Sequence, residues 1–153
     1  MFSKDKVKEI KQEFWNGFKK YCKNKHVNRR WLLNHISVEC SQLKFDVNRK
    51  NAIVGIQVDD KKIEKKHLIF SYWKAYKMLI EDSMGEELIW NNDYISSDNR
   101  FVCMAYTKLE DVDILKIEDH ERIYDFFIEK MILLENTYEE IGDSIKEGIK
   151  NKS

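Results

Sequence analysis

Along most of the chain apolar residues return every three or four positions, but in two places they return every second one, and this change of period sketches the elements. From Ser3 to about Asn24, Val7, Ile10, Phe14, Phe18 and Tyr21 make one helical stripe, with Ser3 placed to cap its start. Trp31 to Glu39 reads as a weak strand. Gln42 to Asn48 then alternates Leu43, Phe45 and Val47 with Lys44 and Asp46, and Asn51 to Asp60 is rich in branched residues. The Asn48-Arg49-Lys50-Asn51 turn joins them into a hairpin. On its second strand Val54, Ile56 and Val58 form the apolar face and Ile53, Gly55, Gln57 and Asp59 the other, so antiparallel pairing puts Asp46, Gln57 and Asp59, with room for Lys61, on one side.

The helical period returns from about Lys62 to Met84, through Ile69, Tyr72, Trp73, Tyr76, Leu79 and Ile80, with Gly85 as the stop. Glu87 to Ile95 and Arg100 to Thr107 read as a second strand pair around Ser96-Ser97-Asp98-Asn99, and Leu109 to Ile117 as a connection with room for a short edge strand. From near Glu118 to about residue 150, Ile123, Phe127, Met131, Leu134, Tyr138, Ile141, Ile145 and Ile149 mark a long C-terminal helix. The expected fold is an α+β single domain over residues 1–153, with a largely antiparallel or mixed sheet of about five strands covered by three helices, in the order α-β-β-β-α-β-β-α.

Composition sharpens this. Charged residues reach 35%, a level compatible with disorder, but 12% aromatic content argues for a packed interior. Cys22, Cys40 and Cys103 are odd in number and far apart, which supports neither a disulfide framework nor a zinc ribbon. The opening residues lack a signal-peptide pattern and no stretch is apolar enough to span a bilayer, so a cytoplasmic protein without membrane contact is expected. The formal net charge is zero, yet residues 1–77 hold 19 Lys and Arg against 8 Asp and Glu, and residues 78–153 the reverse. If these halves separate in space, one surface is basic and one acidic, which suits nucleic acid, an acidic protein surface, or a second copy of the chain.

Two constellations carry candidate chemistry. Lys19, Lys20, Lys23, Lys25, Arg29 and Arg30, interleaved with Tyr21, His26 and Trp31, form a basic run at the end of the first helix. Cations there complement the helix dipole, and they also suit phosphate. Asp46 and, thirteen residues on, Asp59-Asp60-Lys61 follow the loose Asp…Asp-x-Lys order of metal-dependent nucleases, in which Asp46 and Asp59 would hold Mg²⁺ and Lys61 would steady the attacking water. The opposing reading makes Asp59 and Asp60 helix-cap residues and Asp46 a turn neighbour. His26, His35, His67 and His120 have no metal-ligand spacing, Cys103 reads as a core thiol, and no phosphate-binding glycine loop or nucleophile elbow is present.

The order of helix, three strands, helix and strand resembles the core of the restriction-endonuclease-like superfamily. More closely, Glu13-Phe14-Trp15, Trp31-Leu32-Leu33-Asn34-His35, Phe45-Asp46-Val47-Asn48, Met84-Gly85-Glu86-Glu87-Leu88-Ile89-Trp90 and Leu109-Glu110-Asp111-Val112 resemble a bacterial family, domain of unknown function 4268. That resemblance covers nearly the whole chain and implies occurrence alone or behind nuclease-like domains. Where such relatives carry a glutamate in the second hairpin strand, this chain has Gln57, a neutral amide that weakens any divalent-ion site. The expected function is therefore a non-catalytic binding module of nuclease-like ancestry, without cofactor, acting through its basic half. The alternatives are a Mg²⁺-dependent nuclease using Asp46, Asp59 and Lys61, and a self-associating protein.

Overall fold

The computed structural model describes residues 2–27 and 36–152. In order, the elements are α1 (Lys4–Asn24), β1 (Ser41–Val47), β2 (Asn51–Val58), α2 (Ile63–Lys74), α3 (Lys77–Met84), β3 (Ile89–Ile95), β4 (Phe101–Glu110) and α4 (Ile117–Lys152). All pairings in the four-stranded sheet are antiparallel, in the order β1-β2-β4-β3. The α+β class stands, but the described residues contain four strands and four helices rather than about five and three.

Two differences account for that count, and a third lengthens a strand. Of the weak strand expected at Trp31 to Glu39, residues 31–35 lie outside the described residues and 36–39 form a bend and a turn. The described residues hold two strands before α2, and the restriction-endonuclease-like order is not confirmed. The helix expected from Lys62 to Met84 is two helices, because Tyr76 N–H turns back to the carbonyl of Trp73 at 3.0 Å and bends the chain without glycine or proline. Finally, β4 continues to Glu110, taking in residues assigned to the connection with an edge strand.

Elsewhere local chemistry decides as the pattern implied. Ser3 Oγ accepts from Lys6 N–H at 3.2 Å and caps α1. Asn48 Oδ1 accepts from Lys50 N–H (2.7 Å) and Asn51 N–H (2.9 Å), so the first hairpin turns where its asparagines allow. Gly85 ends α3 at φ 74°, the left-handed cap position.

One sheet face is the main core. Leu43, Phe45, Val54, Ile56, Cys103 and Ala105 are buried there beneath the helices. Phe127 of α4 is its hub, stacking on Phe45 at 4.5 Å between ring centroids and on Trp15 at 5.9 Å, and meeting Phe18 edge-on at 5.5 Å. Trp73 is buried and donates its indole N–H to Ser41 Oγ at 2.9 Å, which satisfies the polar atom that a tryptophan carries inside.

The opposite face has a second, smaller core. Ile53, Val102, Met104 and Tyr106 are buried there, with Tyr94 packed against them. β1 and β3 are the two outer strands, yet Tyr94 and Ser97 of the second hairpin both bond to Asp46 of β1. The hairpin therefore curls over this face, helped by a register shift between Asn91 and Tyr94, and its tip reaches the far edge of the sheet.

A polar tie links sheet and α4 on the helix side: Glu86 accepts from Thr107 Oγ1 at 2.7 Å and pairs with Lys130. Burial alone would raise the Glu86 carboxyl, but the bonds from Lys130 and Thr107 outweigh it and hold the group below its usual value. A depressed folded-state value stabilises the fold above the unfolded value near 4.5 and loses that stabilisation as the pH falls through the folded value. Lys130→Met should therefore lower the urea midpoint at pH 7, and the gap from wild type should narrow towards pH 3.5.

Candidate functional site

Asp46 lies in β1 opposite Ile53 and is 7% exposed. Its carboxylate accepts from Tyr94 Oη at 2.9 Å and Ser97 N–H at 3.2 Å on one oxygen, and from Val47 N–H at 3.1 Å on the other. Burial, followed by the Asp46 charge and hydrogen bond, pushes the Tyr94 phenol well above its usual range. Tyr94 is thus a permanent donor, and Asp46 is the anchor of the curled hairpin.

Asp59 stands at the other end of the first hairpin, where its N–H bonds to the carbonyl of Cys40 at 2.9 Å and its carboxylate pairs with Arg100. From Ile53, the partner of Asp46, to Asp59 is six residues, about 20 Å at ordinary strand rise. Oxygens that share a Mg²⁺ ion each lie about 2.1 Å from it, so these two carboxylates do not meet around one ion. Lys61 is exposed in the turn before α2. Asp60 does not cap that helix, whose N-cap is Lys62; it makes a tight local turn, accepting from Lys62 N–H at 2.9 Å, and this bond holds its carboxyl below the usual value. Among the described residues, no three of His, Cys, Asp and Glu are grouped as a metal site. His120 bonds to the carbonyl of Ile114 at 2.6 Å and meets Phe14 edge-on, and Cys103 is fully buried; burial pushes its thiol up to about 11, far from a nucleophile's range.

The basic run is divided. Lys19, Lys20, Lys23 and Lys25 are exposed at the end of α1, and none makes an ion pair among the described residues, while Arg29 and Arg30 lie outside those residues. Lys25 Nζ sits 5.4 Å from the centroid of the Tyr21 ring, whose hydroxyl donates to Asp125 of α4. That bond and burial, with the charges of Asp125 and Glu121, push the Tyr21 phenol up to about 12. At this place basic and acidic parts of the sequence meet: α1 packs on α4, and Lys25 at the end of α1 lies beside Tyr21, which Glu121 and Asp125 of α4 approach.

What the first hairpin does form is an open polar cleft of about 570 Å³. Its floor is Gln42, Lys44 and Gln57, its far wall Ser96, Asp98 and Arg100 from the curled hairpin tip, and its near wall residues 36–41. Gln42 and Gln57 are direct partners across β1 and β2. Ser96 Oγ donates to Asp98, and that bond, assisted by the nearby charges of Lys44 and Arg100, holds the Asp98 carboxyl below its usual value and ionised. The sequence reading reached Gln57 and Asp59 but missed Gln42, Lys44, Asp98 and Arg100. Gln42 and Lys44 were within reach, because pairing Val47 with Ala52 across the turn fixes Gln42 opposite Gln57. The hairpin-tip residues had no local signal, since they arrive by the curl.

The molecule is thus an α+β domain built around an antiparallel sheet, with a polar cleft beneath a fastened hairpin. The chain belongs to the family described as Domain of unknown function (DUF4268), whose profile matches residues 10–142. No curated protein and no solved structure matches it. None of its helices, over the described residues, is long and apolar enough to cross a membrane.

Proposed function

We propose that this domain is a non-catalytic binding module that engages nucleic acid through the end of α1. The observation that carries the reading is the cluster of Lys19, Lys20, Lys23 and Lys25, exposed and without ion pairs among the described residues. Cations spaced along one helix end meet successive phosphates, and the counterions they displace drive association. The sequence resemblance, which implies occurrence behind nuclease-like domains, favours nucleic acid over other polyanions in this reading. Glu121 and Asp125 border the strip on the α4 side and limit the footprint to the surface away from that helix. Against catalysis stand the roughly 20 Å between Asp46 and Asp59 and the commitment of each to a structural partner.

Fluorescence anisotropy with a short DNA duplex and a single-stranded RNA tests this. Binding should weaken with salt at a log–log slope of about −3 to −4 if all four lysines meet phosphates. Replacing Lys19, Lys20, Lys23 and Lys25 by Glu should weaken it at least about 100-fold and flatten the slope. Absence of binding to either probe at low ionic strength would sink the proposal. A dimer that dissociates with salt in sedimentation, without nucleic-acid binding, would point instead to self-association through basic and acidic surfaces.

A further inference from the structure

The cleft under the hairpin tip has a different character from the α1 strip. Its charges are balanced: Lys44 and Arg100 face Asp59 and Asp98, and Glu39 on the near wall is paired with Lys65. A polyphosphate entering it would meet two fixed carboxylates, so the site does not suit nucleic acid. Its floor is made of amides. Gln42 and Gln57 are cross-strand partners, which sets their Cβ atoms about 5 Å apart. Among the described residues neither side chain makes a hydrogen bond, so each offers two N–H donors and a carbonyl acceptor to whatever enters. Ile36, half-buried, supplies an apolar edge. The hairpin-tip wall is already fastened by Asp46, and a preformed wall spares a ligand the cost of ordering it.

We propose that this cleft is a peptide site. It takes a short extended polypeptide segment, whose backbone amides bond to Gln42 and Gln57, whose carboxylate side chain meets Lys44 and whose cationic side chain meets Asp98. Peptide is favoured because it supplies alternating amide donors and acceptors together with fixed charges of both signs, which is the pattern of the lining. The volume of about 570 Å³ lies within the range of sites that hold small ligands and short segments.

The test uses the full chain, labelled with ¹⁵N, and two blocked tetrapeptides, acetyl-Lys-Ala-Ala-Glu-amide and acetyl-Glu-Ala-Ala-Lys-amide. One of the two should shift the side-chain NH₂ resonances of Gln42 and Gln57 saturably at millimolar concentration or below. Gln57→Leu and Lys44→Glu should each weaken that binding at least tenfold, and the double exchange Lys44→Asp with Asp98→Lys should reverse the preference between the peptides. The α1 variant with four Lys→Glu changes should leave the peptide shifts intact, so failure of the nucleic-acid reading and failure of this one are separately visible. Lack of saturable shifts with either peptide, or shifts unaffected by Lys44→Glu, would overturn the peptide site. So would stronger saturable shifts of the same two amides with a single-stranded oligonucleotide.

Discussion

Replacing Asp46 with alanine should cost about 3–4 kcal/mol of stability, read as a fall in the urea midpoint, because the carboxylate is the shared acceptor that fastens one hairpin to the other. A hydrogen bond to a charged group contributes roughly 1.5–3 kcal/mol, and Asp46 accepts two from the curled hairpin. The larger share belongs to Tyr94, since its hydroxyl loses its acceptor in a partly buried position, whereas Ser97 is exposed and its N–H can return to water. Asp46→Asn keeps the shape and one acceptor oxygen and should cost about half as much. Hydrogen exchange from Ser96 to Arg100 should quicken in both variants, because the far wall of the cleft loses its tether. A Mg²⁺-dependent nuclease would behave differently: Asp46→Ala would abolish metal-dependent cleavage while leaving the unfolding midpoint unchanged, and that outcome would displace the structural role assigned here.

Gly55→Ala is expected to be about as damaging, at about 3 kcal/mol, for a reason of shape rather than charge. Gly55 is a central-strand residue paired with Lys44 on one side and Tyr106 on the other. A Cβ built there would collide with the carbonyl oxygen of Ala105 and lie 2.7 Å from Tyr106 Cβ and 3.0 Å from Tyr106 Cα. Two of these atoms are backbone of β4, held between two other strands, so they cannot move aside as the end of a flexible side chain would. The second core would take the displacement, because Tyr106 packs there on Tyr94 at 5.1 Å between ring centroids. Thermal unfolding of Gly55→Ala should show the loss, and Gly55→Val should fail to give soluble folded protein.

These two positions also mark how far the sequence could be read. Wherever one period governs a whole element it was legible: α1 with its Ser3 cap, α4, and the faces of the first hairpin, where Ile56 and Gln57 fall on opposite sides as alternation demands. The break at Ala75 and Tyr76 was not, because no residue there forbids a helix and the stripe from Ile69 to Ile80 runs across the bend unbroken. The basic run is exposed at Lys19 to Lys25 as its solvated reading had it, but acidic residues of α4 stand beside its helix at Tyr21, a neighbour that linear order did not show. Asp46, Asp59 and Lys61 had the order of a metal site without its geometry. The turn register that sets Gln42 opposite Gln57 also sets Asp46 beside Ile53, six residues from Asp59, so that separation was within reach; Tyr94 and Arg100, which reach the two carboxylates from the second hairpin, had no such signal.

The position of Phe127 has a consequence for synthesis. Phe14, Trp15, Phe18 and Phe45 all meet a ring that is translated after every strand of the sheet. As the chain leaves the ribosome, the strands and α1 to α3 are made before α4, so the part of this core that Phe127 closes lacks its last layer until the end. Folding is therefore committed late, and a pause in translation before Ile117 would prolong the interval in which the nascent chain is most prone to aggregate.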